Sequence, residues 1–165
     1  MRLLKRSTLI LAVIAILGTS GCASKTGATY DPFAIFPATA QWTWNDELNS
    51  FPKDPSLESL NIQSMVREII TESLAEHGYT LAPVGGRVDF RVHYQVGLGR
   101  VIDQNSVRAY ASLSLTLVDM KTDRSAWVGF IKSDADIATP EPQRRKRMRE
   151  QMNDMLKNFP PNQPK

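Results

Sequence analysis

The 165 residues contain one cysteine and two histidines, so few side chains could do covalent or metal chemistry. The cysteine, Cys22, follows Gly18-Thr19-Ser20-Gly21, where small side chains let a peptidase approach the backbone. A thiol at such a cut, after Gly21, can accept a diacylglyceryl group as a thioether. His77 and His93 are sixteen residues apart, and no ligand spacing joins them to carboxylates. We expect structural roles for both, and neither a metal nor a cofactor. Gly97-Leu98-Gly99 has the start of a dinucleotide fingerprint, but Ile102 and a second strand follow where a glycine and a helix are needed. These glycines are expected to serve a bend, a bulge or a loop. Asp134 and Asp136 would share one side of an extended segment, and a solvated loop is the expected setting. No Gly-x-Ser-x-Gly elbow is present, and serines have only the two separated histidines as potential bases.

The basic run Arg144-Arg145-Lys146-Arg147, with Arg149 beyond, is the strongest charge feature. At the start of a helix it opposes the dipole, which disfavours cations there. Anionic lipid headgroups, lipopolysaccharide phosphates or an acidic partner would satisfy it. A solvated first turn balanced by Glu141 and Glu150 is the structural alternative.

The start of the chain explains Cys22. Arg2, Lys5 and Arg6 precede the apolar run Leu9–Leu17, which suits a signal-peptide core but falls short of the ~20 residues of a membrane span. The pattern resembles a lipobox, departing from it at Thr19, where a branched apolar residue is usual. The expected layout is a cleaved signal over 1–21, a lipidated cysteine and tether over 22–39, and one domain over 40–165. Ala23-Ser24 lacks the Asp that resembles an inner-membrane retention signal, so the expected location is the outer membrane, facing the periplasm. The chain has 20 Lys and Arg against 17 Asp and Glu, and the signal segment accounts for the excess. Its basic pI therefore gives no reason to expect nucleic acid.

The domain must position whatever the chain uses. Pro32 and Pro37 mark the tether, and Phe33, Ile35 and Phe36 are expected to pack its later part onto the domain. Ile62, Met65, Val66, Ile69, Ile70 and Leu74 form one helical stripe, with Asp54-Pro55 as the expected start and Gly78 as the stop. From Val88 to Leu98 the period becomes two, and it returns over Val107–Val118 and Ala126–Ile131 around the polar turn Lys121–Arg124. Trp42 and Trp44 should share a face of an earlier short strand. Pro140 and Pro142 open a last helix carrying Met148, Met152, Met155, Leu156 and Phe159, a core stripe that Pro160-Pro161 ends. The expectation is an α+β fold: an antiparallel or mixed sheet of about four to five strands, with two helices on one face.

Trp44, Gly78-Tyr79, Val88-Asp89-Phe90, Asp119, Trp127-Val128-Gly129 and Phe159-Pro160-Pro161 together resemble the bacterial lipoprotein domain of unknown function numbered 4136. Val88 stands where that family more often has proline. The resemblance implies an envelope lipoprotein and carries over no catalytic residue. We therefore expect a non-enzymatic binding, scaffolding or accessory module, held to the membrane through Cys22 and meeting an envelope protein. The alternatives are a periplasmic hydrolase, which would need a deep pocket lined by His93, Tyr110 and Asp residues, and a small-ligand carrier, which would need a sizeable apolar cavity between sheet and helices.

Overall fold

In the computed structural model, residues 25–103, 106–135 and 138–161 are described. The elements in chain order are β1 (Lys25–Tyr30), β2 (Ala40–Trp44), α1 (Pro55–Ser59), α2 (Ile62–Glu76), β3 (Tyr79–Leu81), β4 (Phe90–Asp103), β5 (Ser106–Asp119), β6 (Arg124–Asp134) and α3 (Glu141–Leu156). The strands form a single mixed sheet in the order β1-β6-β5-β4-β2-β3. β2 is parallel to both its neighbours, whereas β4, β5, β6 and β1 run antiparallel in succession.

The α+β architecture with helices on one face is as expected, but there are six strands. The two extra ones carry weak period-two signals. β3 is three residues long, and β1 is an edge strand of small and polar residues with no buried member. β1 lies inside the stretch expected to be a tether, which therefore joins the sheet almost at once. Phe36 does pack down, stacking on Phe90 at 6.0 Å. Phe33 and Ile35, by contrast, point out, at 90% and 80% exposure.

The alternation in β4 and β5 sorts side chains onto two faces. Phe90, Val92 and Tyr94 face the helices and pair with Asp119, Leu117 and Leu115 across the strand boundary. Trp127 and Ile131 continue this face on β6, and Trp42 on β2. Against it lie Met65, Val66, Ile69, Ile70 and Leu74 of α2 and Met152, Met155 and Leu156 of α3. Each such side chain contributes about 1.5–3 kcal/mol on burial. A bulge at Leu117/Val118 places Ala126 as the extra residue on β6, so Ala126 and Trp127 are both buried next to each other.

The first long helix starts later than its pattern indicates. Asp54-Pro55 opens the short α1, and the chain breaks at Asn61, whose φ of 50° is left-handed, before α2 begins. Gly78 ends α2 as expected. Its φ is +83°, and a side chain there would meet the Ala38 carbonyl oxygen at 2.7 Å. α3 ends at Leu156, four residues before Pro160, and Phe159 turns inward to be buried.

Candidate functional site

Three of the motif residues, Tyr79, Trp127 and Phe159, meet in one aromatic cluster. Phe159 lies edge-on to Tyr79 at 4.8 Å, Trp127 at 5.2 Å, His77 at 5.9 Å and Phe36 at 6.0 Å. Offset and edge-on rings satisfy the aromatic quadrupole and add about 0.5–1.5 kcal/mol per pair beyond burial. Gly129 belongs to this cluster by subtraction: a Cβ there would lie 2.2 Å from the Trp127 ring and 2.7 Å from Met155 Sδ. The Trp42 indole N–H donates to the Tyr79 carbonyl oxygen at 2.9 Å, and the Tyr79 hydroxyl donates to the Pro37 carbonyl oxygen at 2.8 Å. Burial, assisted by the Asp89 charge, pushes the Tyr79 phenol well above its usual range. Trp44 sits edge-on to Trp42 and Tyr94, with the Arg67 guanidinium 4.5 Å from its ring centre. These motifs hold the fold together.

The residues whose types could do chemistry are dispersed. Gly21 and Cys22 lie outside the described residues, as does Asp136. His93 and Tyr110 share the face of the sheet turned away from the helices, but His93 pairs with Thr116 and Tyr110 with Gly99. Six residues of strand between Tyr110 and Thr116 amount to ~20 Å, so the two do not form one pocket. His93 is half-buried, its Nδ1 has no hydrogen-bond partner among the described residues, and burial pushes its imidazole below the usual range. Asp134 is the last residue of β6, not part of a loop. Among the described residues, no three His, Cys, Asp or Glu side chains are grouped to hold a metal.

Gly97 and Gly99 lie inside β4, paired with Ser112 and Tyr110, instead of in a bend or loop. A Cβ at Gly99 would fall 2.3 Å from the Tyr110 ring, so the tyrosine lies flat over the glycine. The Lys132 ammonium caps the same ring at 4.0 Å.

The basic run divides into two pairs. Arg145 bonds Glu68 at 2.9 Å and Glu141 at 3.6 Å, and these carboxylates, Glu68 foremost, raise its already high pKa. Lys146 approaches Glu150 at 3.9 Å, and Arg149 pairs with Glu72. Arg144 donates to the Thr139 carbonyl oxygen, and its buried Nε has no partner among the described residues; Arg147 makes no ion pair with a described residue. Arg144 and Arg147 line a cleft of about 140 Å³ between sheet and helices, together with Phe51, Leu57, Ile62, Met65, Val96, Leu98 and Met148. No helix among the described residues is long and apolar enough to cross a membrane.

Sequence reasoning passed over the structural role of Asp89, although it stands in a quoted motif. Its carboxylate accepts the Gln41 N–H at 3.0 Å and pairs with Arg87 at 2.8 Å. A lone Asp before a strand gives no signal of such a partner.

A mixed six-stranded sheet with its helices on one face defines a small α+β domain class. Within that class the chain belongs to the family described as "Domain of unknown function (DUF4136)", which it matches over residues 26–161. No curated protein matches the sequence. Among solved structures, the chain is similar to a dodecamer of a single-substitution variant of PelC from Paraburkholderia phytofirmans, at 11% identity and a TM-score of 0.54, covering 86% of this chain and 100% of that one. A second PelC dodecamer structure from the same organism gives 11% identity and a TM-score of 0.52, covering 81% and 95%. A PDZ domain protein from Parabacteroides distasonis gives 11% identity and a TM-score of 0.50, covering 87% of this chain and 36% of that one. At such identities these likenesses establish the fold alone.

Proposed function

We propose that this chain is a lipid-anchored lipoprotein of the outer membrane, facing the periplasm and acting there as a non-enzymatic scaffolding or binding module. The observation that carries the proposal is how closely the acylation motif abuts the domain. Cys22 follows a basic, then apolar, then small-residue leader, and the first strand starts at Lys25. Several acyl chains hold a protein far more firmly than one, and a short tether keeps the domain at high local concentration beside envelope partners. Its mechanism is thus localisation. Self-assembly is one form such a scaffold takes. The Paraburkholderia proteins of this fold are dodecamers, and here β1 and β3 present sheet edges to which further strands or copies can add.

The test is crosslinking in living cells with the native protein and Cys22→Ala, alongside metabolic labelling with a radioactive fatty acid. The proposal expects label on the native chain only, and one envelope protein, or a second copy, captured only by the lipidated form. Absence of label removes the anchor; equal or absent capture by both forms removes the tethered scaffold.

The apolar cleft favours a second reading, carriage of a small apolar ligand with an anionic group directed to Arg144 and Arg147. A dry cavity of comparable size, about 150 Å³, is known to admit benzene. Native mass spectrometry of the protein purified from its envelope decides this: a bound small molecule lost on Ala111→Phe, a change at a position that also lines the cleft, supports carriage, and an unliganded mass contradicts it.

A further inference from the structure

Lys25 pairs with Lys132, Lys132 with Ser112, and Ser112 with Gly97, so these four residues lie in one row across β1, β6, β5 and β4. β1 runs away from this row towards Tyr30, and the chain therefore enters β1 from the end at which β6 finishes. β6 stops at Asp134, opposite Tyr110, whereas β4 and β5 continue as a pair to Asp103 and Ser106. From Gly97 to Asp103 is six residues, or ~20 Å of strand. From Cys22 to Lys25 is three residues, which reach ~10 Å at most when fully extended. The hairpin thus projects ~10 Å further than Cys22 can, in the direction from which the chain arrives.

We propose that the β4–β5 hairpin is the part of the domain that rests in the lipid leaflet holding Cys22. This rests on the anchored reading above. An upright domain cannot keep Cys22 at the headgroups without the hairpin entering the leaflet by that difference, and a tilted one lays the hairpin on the surface. The side chains suit the contact. Leu98 and Ile102 lie on the same face of β4 and are 43% and 80% exposed. Arg100, exposed, stands between them on the same face, and Arg108, also exposed, is paired with Val101 on the opposite face of the ribbon. Apolar tips flanked by cations fit the headgroup boundary, where interfacial segments sink ~5–10 Å. A two-stranded ribbon is marginal in water alone, so a surface for this face adds to its stability. Arg147, which has no ion-pair partner among the described residues, lines the cleft with Leu98 at this same end of the molecule.

Under the anchored reading Cys22 is consumed as a thioether, and a new cysteine is the only free thiol in the full chain. The lipidated Ile102→Cys and Thr122→Cys proteins, the latter in the β5–β6 turn at the far end of the same strands, are labelled with an environment-sensitive fluorophore. Each is reconstituted into phosphatidylethanolamine–phosphatidylglycerol vesicles. We expect blue-shifted emission at position 102, quenched several-fold more by lipid-borne quenchers than at position 122. Equal, water-like emission at both positions on protein that floats with the vesicles overturns the proposal. A blue shift at 102 that is insensitive to lipid-borne quenchers, and persists in detergent, also overturns it and assigns the hairpin to a second copy. Failure to float signals instead that the anchored reading has failed, and the hairpin proposal falls with it.

Discussion

Asp89 and Gln41 are joined twice: the Asp89 carboxylate accepts the Gln41 N–H at 3.0 Å, and the Asp89 N–H donates to the Gln41 carbonyl oxygen at 2.7 Å. The pair ties the start of β4 to β2, where the sheet changes from parallel to antiparallel. The Gln41 N–H is the largest influence on the carboxyl and lowers its pKa; Arg87 and Lys121 lower it further, against a partial burial that raises it.

Asp89→Ala is expected to cost about 1–3 kcal/mol in urea unfolding at pH 7, the cost of leaving a part-buried N–H without its charged acceptor. The sign with pH follows from the depressed folded pKa. The contribution is complete above the ordinary carboxyl value near 3.8 and is lost as pH falls through the lower folded value. The acid-unfolding midpoint of the native protein should therefore lie below that of Asp89→Ala. Coincident midpoints would show that the bond is worth nothing.

His93 gives a second pH signature. Burial lowers its pKa from 6.5, and among the described residues its Nδ1 has no partner that could favour the cation. As pH falls through 6.5, the unfolded chain takes up the proton first, and stability declines until the folded imidazole also titrates. The imidazole NMR titration should have its midpoint below 6.5. His93→Gln should reduce the loss of stability between about pH 7 and pH 5, and an unchanged loss would assign it to other groups.

Gly129 carries no side chain because Trp127 and Met155 fill that space. Gly129→Ala should lose about 1–3 kcal/mol through overpacking, and Phe159→Ala about 3–5 kcal/mol by emptying the centre of the aromatic cluster. Chemical denaturation measures both. A Gly129→Ala protein as stable as the native one would show that the tryptophan ring moves aside freely.

How much of this was legible in the sequence depended on the range of the interaction. The stripe from Ile62 to Leu74 and the alternation from Phe90 onward are local patterns, and they predicted α2, β4, β5 and β6 because burial of one face repeats along each element. β1 escaped because an edge strand with no buried residue needs no apolar alternation, and β3 because three residues hold barely one period. The Gly97 and Gly99 pattern read as a bend, since the Tyr110 ring that fills the gap is contributed by another strand. The same limit applies to the basic run: its spacing identified Glu141 and Glu150 as neighbours, but Glu68 and Glu72 reach it only through the packing of α2 against α3.

That packing separates two adjacent types of arginine. Arg145 bridges the helices through Glu68, in a pair exposed enough for solvent to screen it, and its worth is at most about 1 kcal/mol. A double-mutant cycle on Arg145→Ala and Glu68→Ala should recover a coupling of about 0.2–1 kcal/mol, smaller at high salt. Arg147 has no such partner among the described residues, so Arg147→Glu should leave the urea midpoint unchanged. If the anchored end of the domain faces anionic lipid, the same reversal should weaken its approach to phosphatidylglycerol vesicles, most at low salt, while Lys146→Glu has a smaller effect because Glu150 already offsets that charge. Equal effects of the two reversals would mean that only net charge matters. A change confined to Arg147 would identify its guanidinium as the contact.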